Sequence, residues 1–258
     1  QQFIYLTPGD TSSNVYDLQY DQHGTTSIDP EYNFGEFPTS PTNSDYFYRT
    51  YITFDKGVNS TAAGETVSFF GKTFAIHSDT DFTASTPKLV LSGGSDTILL
   101  KGGETRTVTI SGKSYEVGYV ASSSATAGIV KVGSDQKTIT EGKSAKVGGL
   151  DIFVDRVFDV SSTDPTQDSA KLLLGSEKLV LQDGSKVKTG DNEDNIDGTY
   201  VNLTISTTSG AKRLDAFSVR VGGKSSNDDF LAEGKSYVDP VWKTFNINFA
   251  GVTPAKTD

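Results

Sequence analysis

Cysteine and methionine are absent from this chain of 258 residues, histidine occurs only as His23 and His77, and there are just five arginines. Without cysteine there are no disulfides, no thiolate nucleophile, no cysteine-ligated zinc and no iron–sulfur cluster. Two histidines cannot form a polyhistidine metal centre. Most acid–base and nucleophilic chemistry leans on Cys or His, so the expectation is a protein that is not an enzyme. The missing methionine reads as a processed chain or one cut from a longer precursor, with any secretory signal removed before Gln1. Long apolar runs are lacking too. Lys88-Leu89-Val90-Leu91 and Ile98-Leu99-Leu100 fall far short of the roughly 20 residues a spanning helix needs. Basic clusters are scarce: 23 Lys and Arg face 33 Asp and Glu, for a net charge of −10. That balance argues against a nucleic-acid partner and against an anionic membrane surface.

What remains is strand-forming. Hydrophobic content is 34%, beside many Ser, Thr and 26 Gly, the profile of an all-β surface protein. Three segments share one pattern: Gly64 to Ile76 followed by Lys88-Leu89-Val90-Leu91, Gly103 to Val117 followed by Gly128 to Val132, and Glu141 to Ile152 followed by Lys171-Leu172-Leu173-Leu174. The central turn falls at Gly71, Gly112 and Gly148, and Glu233-Gly234-Lys235-Ser236-Tyr237-Val238 is a fourth, altered copy. Spacing of this kind marks tandem supersecondary units. Val108, Ile110, Tyr115 and Val117 alternate with polar residues, the period-two signature of a half-buried strand. Each unit is therefore predicted to be a hairpin closed on a Gly turn, then a loop, then a third strand. Further hairpin signals are Gln182-Asp183-Gly184-Ser185 and Asp197-Gly198, and Thr166 to Leu174 is the nearest approach to a helix.

The fold class is accordingly all-β: tandem β-sandwiches, immunoglobulin-like or with Greek-key or meander connections, built from β-hairpin repeats. Residues 1–54 hold seven of the eleven Tyr, five of the fifteen Phe and four of the eight Pro. This texture sets off 1–56 as an aromatic-rich arm or a set of first strands. Residues 57–170 are then a first sandwich and 171–258 a second, open to completion by N-terminal strands. The aromatics serve a first sheet, a sugar platform or an inter-subunit surface.

Candidate chemistry is sparse. Gly-Lys-Ser/Thr occurs at 71–73, 112–114, 142–144, 223–225 and 234–236, but a phosphate-binding loop needs Gly five residues before the second Gly. Those places hold Thr66, Thr107, Lys137, Ser218 and Asp229, so hairpin turns are the better reading. There is no Gly-x-Ser-x-Gly elbow. His23 lies in a loop sequence, and His77 follows a strand sequence. The run from Asp191 to Gly198 supplies Asp191, Glu193, Asp194 and Asp197, hard oxygen ligands of the kind Ca²⁺ takes. It departs from the EF-hand pattern, with Ile196 where that loop needs Gly, and a solvated acidic turn competes with it. No other cofactor is expected. Asn59-Ser60-Thr61 and Asn202-Leu203-Thr204 fit the glycosylation sequon; Asn59 lies in a polar loop, and Asn202 in a strand that could point outward.

The run from Ile139 to Phe158 (ITEGKSAKVGGLDIFVDRVF) resembles archaeal surface-layer (S-layer) proteins of small-genome lineages. Lys171-Leu172-Leu173-Leu174-Gly175, Lys178 to Gly184, Ile196-Asp197-Gly198-Thr199 and Tyr237 to Phe245 continue that likeness, which spans about residues 57–252. The resemblance implies β-sandwich domains tiled into a two-dimensional coat, often glycosylated and sometimes metal-bridged, with no catalytic residues. S-layer subunits are commonly much longer and carry an anchor, and this sequence shows neither. The expected function is a self-assembling structural protein of the extracellular cell surface, with itself as partner and glycans as attachments. The alternatives are an extracellular filament subunit that donates residues 1–54 as an arm, and a carbohydrate-binding or adhesion module using Tyr side chains and Trp242.

Overall fold

Alternation of apolar and polar residues becomes strand almost everywhere in the computed structural model. It describes residues 1–6, 18–21, 31–34, 39–41, 46–93, 96–110, 112–160, 164–175, 177–190, 192–225 and 231–251. The first stretch contributes β1 (Gln2–Leu6), β2 (Leu18–Asp21), β3 (Glu31–Phe34), β4 (Tyr48–Val58), β5 (Thr66–Phe69), β6 (Lys72–Ile76) and β7 (Lys88–Gly93). A middle stretch holds β8 (Asp96–Lys101), β9 (Thr105–Ile110), β10 (Lys113–Ser124), β11 (Ala127–Val132), β12 (Asp135–Thr140), β13 (Ser144–Val147), β14 (Leu150–Phe158) and β15 (Ser169–Leu174). The last gives β16 (Glu177–Gln182), β17 (Lys188–Thr189), β18 (Asp194–Asn195), β19 (Thr199–Thr208), β20 (Ala211–Val221), β21 (Leu231–Ala232), β22 (Ser236–Val238) and β23 (Asn246–Asn248).

The three repeats fold as meanders: β5-β6-β7, β9-β10-β11 and β13-β14-β15 each pair antiparallel in sequence order. Gly71, Gly112 and Gly148 close the hairpins with φ of 83°, 77° and 53°, a region where a side chain would be strained. The fourth copy is altered, as β22 pairs not across the Gly234 turn but with β23. Asp183-Gly184 turns β16 toward β17, whereas Asp197-Gly198 leads out of one sheet and into another, because β18 pairs with β17 and β19 with β20. Thr166 to Leu174 is not helical. Residues Pro165–Gln167 form one 3-10 turn and Ser169–Leu174 is β15, whose Ala170, Leu172 and Leu174 are buried at alternate positions. Pairing on both sides, with β14 and with β8, overrides the weak helical pattern.

Two cores form. One sheet, β1-β4-β20-β19, and a second, β18-β17-β16-β7-β6-β5, enclose the first core. At its centre the indole of Trp242, fully buried, meets the rings of Phe69, Phe74 and Phe217 at 5.8, 5.8 and 6.2 Å. Thr50 Oγ1 accepts its Nε1–H at 3.1 Å, so the polar end of the ring is satisfied as burial requires. The sheets β12-β11-β10-β9 and β13-β14-β15-β8 enclose the second core, around Val117, Val130, Ile152, Val154 and Leu172.

The packing groups therefore divide the chain differently from linear boundaries at 56/57 and 170/171. β4 runs across the first boundary and β15 across the second. Residues 96–174 form a sandwich inserted into another made from both flanks. The chain passes between the two sandwiches twice. Gly93 stands opposite Glu177 in the outer sandwich and Asp96 opposite Leu174 in the inserted one, the same register carried through both. The seam is reinforced where the backbone N–H and hydroxyl of Ser78 both donate to Gly142 O at 2.9 Å. Ser144 N–H donates to His77 Nε2 at 3.2 Å, and Ala75, Phe153 and Leu173 form a small buried cluster across the same seam.

Candidate functional site

The sequence-predicted sites separate in space. Asn59 caps the 3-10 turn Ser60–Ala62, its Oδ1 accepting Thr61 N–H at 3.1 Å and the Thr61 hydroxyl at 2.6 Å. Acceptor and sequon hydroxyl thus lie together on a partly exposed loop. Asn202 sits in β19 with Ser218 opposite, and its Oδ1 accepts from Arg220 Nη1 at 2.5 Å. Its side chain is thereby committed to the sheet surface.

Among the acidic residues, Asp191 lies outside the described residues. Glu193 pairs with Lys178 at 2.9 Å and Lys188 at 3.7 Å, and Asp197 pairs with Lys186 at 2.6 Å. Lysine hydrogen bonds hold both carboxyls below the usual carboxylate range. Asp194 is exposed in β18. Glu193 and Asp197 answer to separate lysines, and among the described residues no three His, Cys, Asp or Glu groups converge as a metal site requires. His23 also lies outside the described residues. Trp242 is buried to 0% exposure, so it offers no face to a sugar. No helix of the described structure is long and apolar enough to cross a membrane.

Sequence reading missed three sites. His77 is buried at 2% exposure, between Asp79 and the second sandwich. Asp79 in turn bonds Lys143. Burial pushes the Asp79 carboxyl upward, but the Lys143 hydrogen bond and the charges of Lys143 and Lys178 outweigh it and the net shift is downward. Asp239, 1% exposed, is the second. It accepts from the Tyr48 hydroxyl, from Trp242 N at 2.5 Å and from Lys243 N at 2.8 Å. Burial raises its carboxyl despite those three donors and raises the Tyr48 phenol as well.

The third is a surface. Tyr48, Thr50 and Ile52 of β4 are buried, which turns Arg49 and Tyr51 to the outer face of the sheet. The ladder sets Tyr5 opposite Arg49, Arg49 opposite Arg220 and Arg220 opposite Tyr200, one row across four strands. The Arg49 guanidinium lies over the rings of Tyr5 (4.8 Å), Tyr51 (5.5 Å) and Tyr46 (5.8 Å), and Arg220 lies over Tyr200 at 5.8 Å. Burial, then the charge of Arg49, lowers the Arg220 guanidinium. Beside this row Phe3, Ile4, Tyr5 and Leu6 are exposed at 39, 43, 40 and 56%. The alternation of Tyr46, Tyr48 and Arg49 through Tyr51 was the available signal, but assigning an outer face required knowing which neighbours are buried.

No family model, curated protein or solved structure matches the chain.

Proposed function

We propose that this protein is a structural, self-assembling subunit of an extracellular surface coat of the S-layer kind, acting by assembly and not by catalysis. The observation that carries the reading is β1. It is an edge strand that pairs with β4 alone among the described residues, and four consecutive apolar residues on it face solvent. An open, apolar edge is a template for pairing with another chain unless charge or a covering element blocks it. The two-sandwich body supports the same reading, since a matched register on either side of the junction and a seam of hydrogen bonds tie the two sandwiches together. Asn59 is the residue placed to carry a glycan, and a cell-surface location goes with both features.

Negative-stain microscopy of purified protein over a range of concentration, with and without Ca²⁺, tests the proposal. Ordered sheets or arrays are expected, and a monomer under every condition refutes it. A filament is the second reading. Its support is that β1 is held at one side by β4 and on its flank by Gln2, which donates to Ser68 O and accepts from Phe70 N, both at 2.7 Å. The same strand seated on a neighbour would link subunits in a chain. Deleting residues 1–6 then abolishes polymerisation and leaves both cores folded.

A further inference from the structure

Among the described residues Arg49 is a cation without an anion. Among the described residues its contacts are the three tyrosine rings, and its Nε is buried with no hydrogen-bond partner. A second guanidinium, Arg220, stands directly opposite across the ladder, where like charges ordinarily destabilise a sheet. Two of the five arginines of a chain with net charge −10 are thus set side by side. Stacking on tyrosine fixes the plane of the Arg49 guanidinium and leaves its N–H groups to be met from outside, the geometry that receives a carboxylate. Tyr and Arg in the middle of an apolar patch are also the residues that dominate protein–protein interfaces.

We propose that the outer face centred on Arg49, with Tyr5, Tyr46, Tyr51 and the exposed strand β1 beside it, docks a carboxylate-bearing segment of a second copy of this chain. The inference rests on the self-assembly reading above and names the contact that performs it. Charge complementarity selects the occupant. β1 and β5 mark one margin of the outer sandwich, linked through Gln2. β18 is the terminal strand at the opposite margin, and it presents Asp194, exposed and without a lysine partner among the described residues. A contact from the Arg49 margin of one copy to the Asp194 margin of the next uses two different surfaces. Such a contact repeats without closing, which is what a lattice or filament needs.

Sedimentation velocity of the full chain over a concentration series measures the contact. Arg49→Glu and Asp194→Arg are each expected to raise the concentration for half-assembly by about tenfold or more, the scale of an interface hot spot. The double swap is expected to restore assembly, and added NaCl to weaken it in the wild type. Emission of the buried Trp242 reports whether each variant is folded, and Asp194→Arg, far from the aromatic core, supplies the reading if Arg49→Glu unfolds. If wild type and both folded variants assemble alike, this inference is overturned and the self-assembly reading stands. A wild type that never assembles overturns both. A monomeric wild type that binds polygalacturonate through Arg49 also overturns the self-docking, in favour of an acidic glycan.

Discussion

Replacing Asp239 tests how the outer sandwich is held together. Its carboxylate collects the Tyr48 hydroxyl and the backbone N–H groups of Trp242 and Lys243, and so pins the turn after β22 onto β4. Asp239→Ala removes the acceptor for all three. A buried donor left unmade costs about 1–3 kcal/mol. Lys243 is an exposed residue whose N–H can find water, so the two buried donors dominate and the sum is about 2–6 kcal/mol. At about 2–4 °C per kcal/mol for a protein of this size, the melting transition of the outer sandwich falls by about 4–24 °C. Asp239→Asn behaves differently. The amide oxygen keeps the two backbone donors and the amide N–H₂ faces the Tyr48 oxygen, leaving one buried donor, the Tyr48 hydroxyl, unmade, so the loss at neutral pH is about 1–3 kcal/mol. The pH dependence has a definite sign. Burial raises the folded carboxyl above its ordinary value, so the folded state holds the proton more tightly than the unfolded chain. Its contribution is therefore present in full below the ordinary carboxylate value and is lost as pH rises through the raised one. The stability of wild type relative to Asp239→Asn is then expected to increase on acidification from neutral pH. Calorimetry of the three proteins across pH decides this. Equal stability of the Ala variant and wild type, or a wild type that loses ground to Asn in acid, refutes the reasoning.

Three further outcomes follow from the same structure. Trp242 is the one tryptophan and lies in the outer core, so its emission is expected at short wavelength in the native state. Its red shift on denaturation should follow the outer sandwich alone, while far-UV circular dichroism records the strands of both. Gly142→Ala is expected to cost about 1–3 kcal/mol and to speed proteolysis at the seam, because φ is 76° there and a Cβ would sit 3.1 Å from Ser78 Cβ. Expression in a glycosylating host followed by peptide mass spectrometry is expected to show glycan at Asn59 and none at Asn202. Asn59→Gln should remove it and cost about 1 kcal/mol through the lost cap.

Local physics was legible in the sequence and non-local physics was not. Hairpins at Gly71, Gly112 and Gly148 could be read because a positive φ and period-two alternation are set within a dozen residues. The all-β class followed from the same signals. Thr166 to Leu174 misled because a short apolar run has no distinct period until its ladder partners are known, and β8 lies some seventy residues upstream. In the acidic run 191–198, spacing alone does not reveal that Lys178, Lys186 and Lys188 reach Glu193 and Asp197.

The sequence by itself determined the units: strands that bury one face, glycine turns that join them, and a composition almost without Cys and His. Tertiary structure decided how the units are shared between cores. β7 pairs on one side with its neighbour β6 and on the other with β16, far along the chain, and that second pairing inserts one sandwich in the other. It also decided which polar groups are buried, as with Asp239 and His77, and which face outward, as with Arg49. The physical reason is the same throughout. Turn geometry is set by a residue and its neighbours, whereas burial and charge pairing depend on what the folded chain brings alongside.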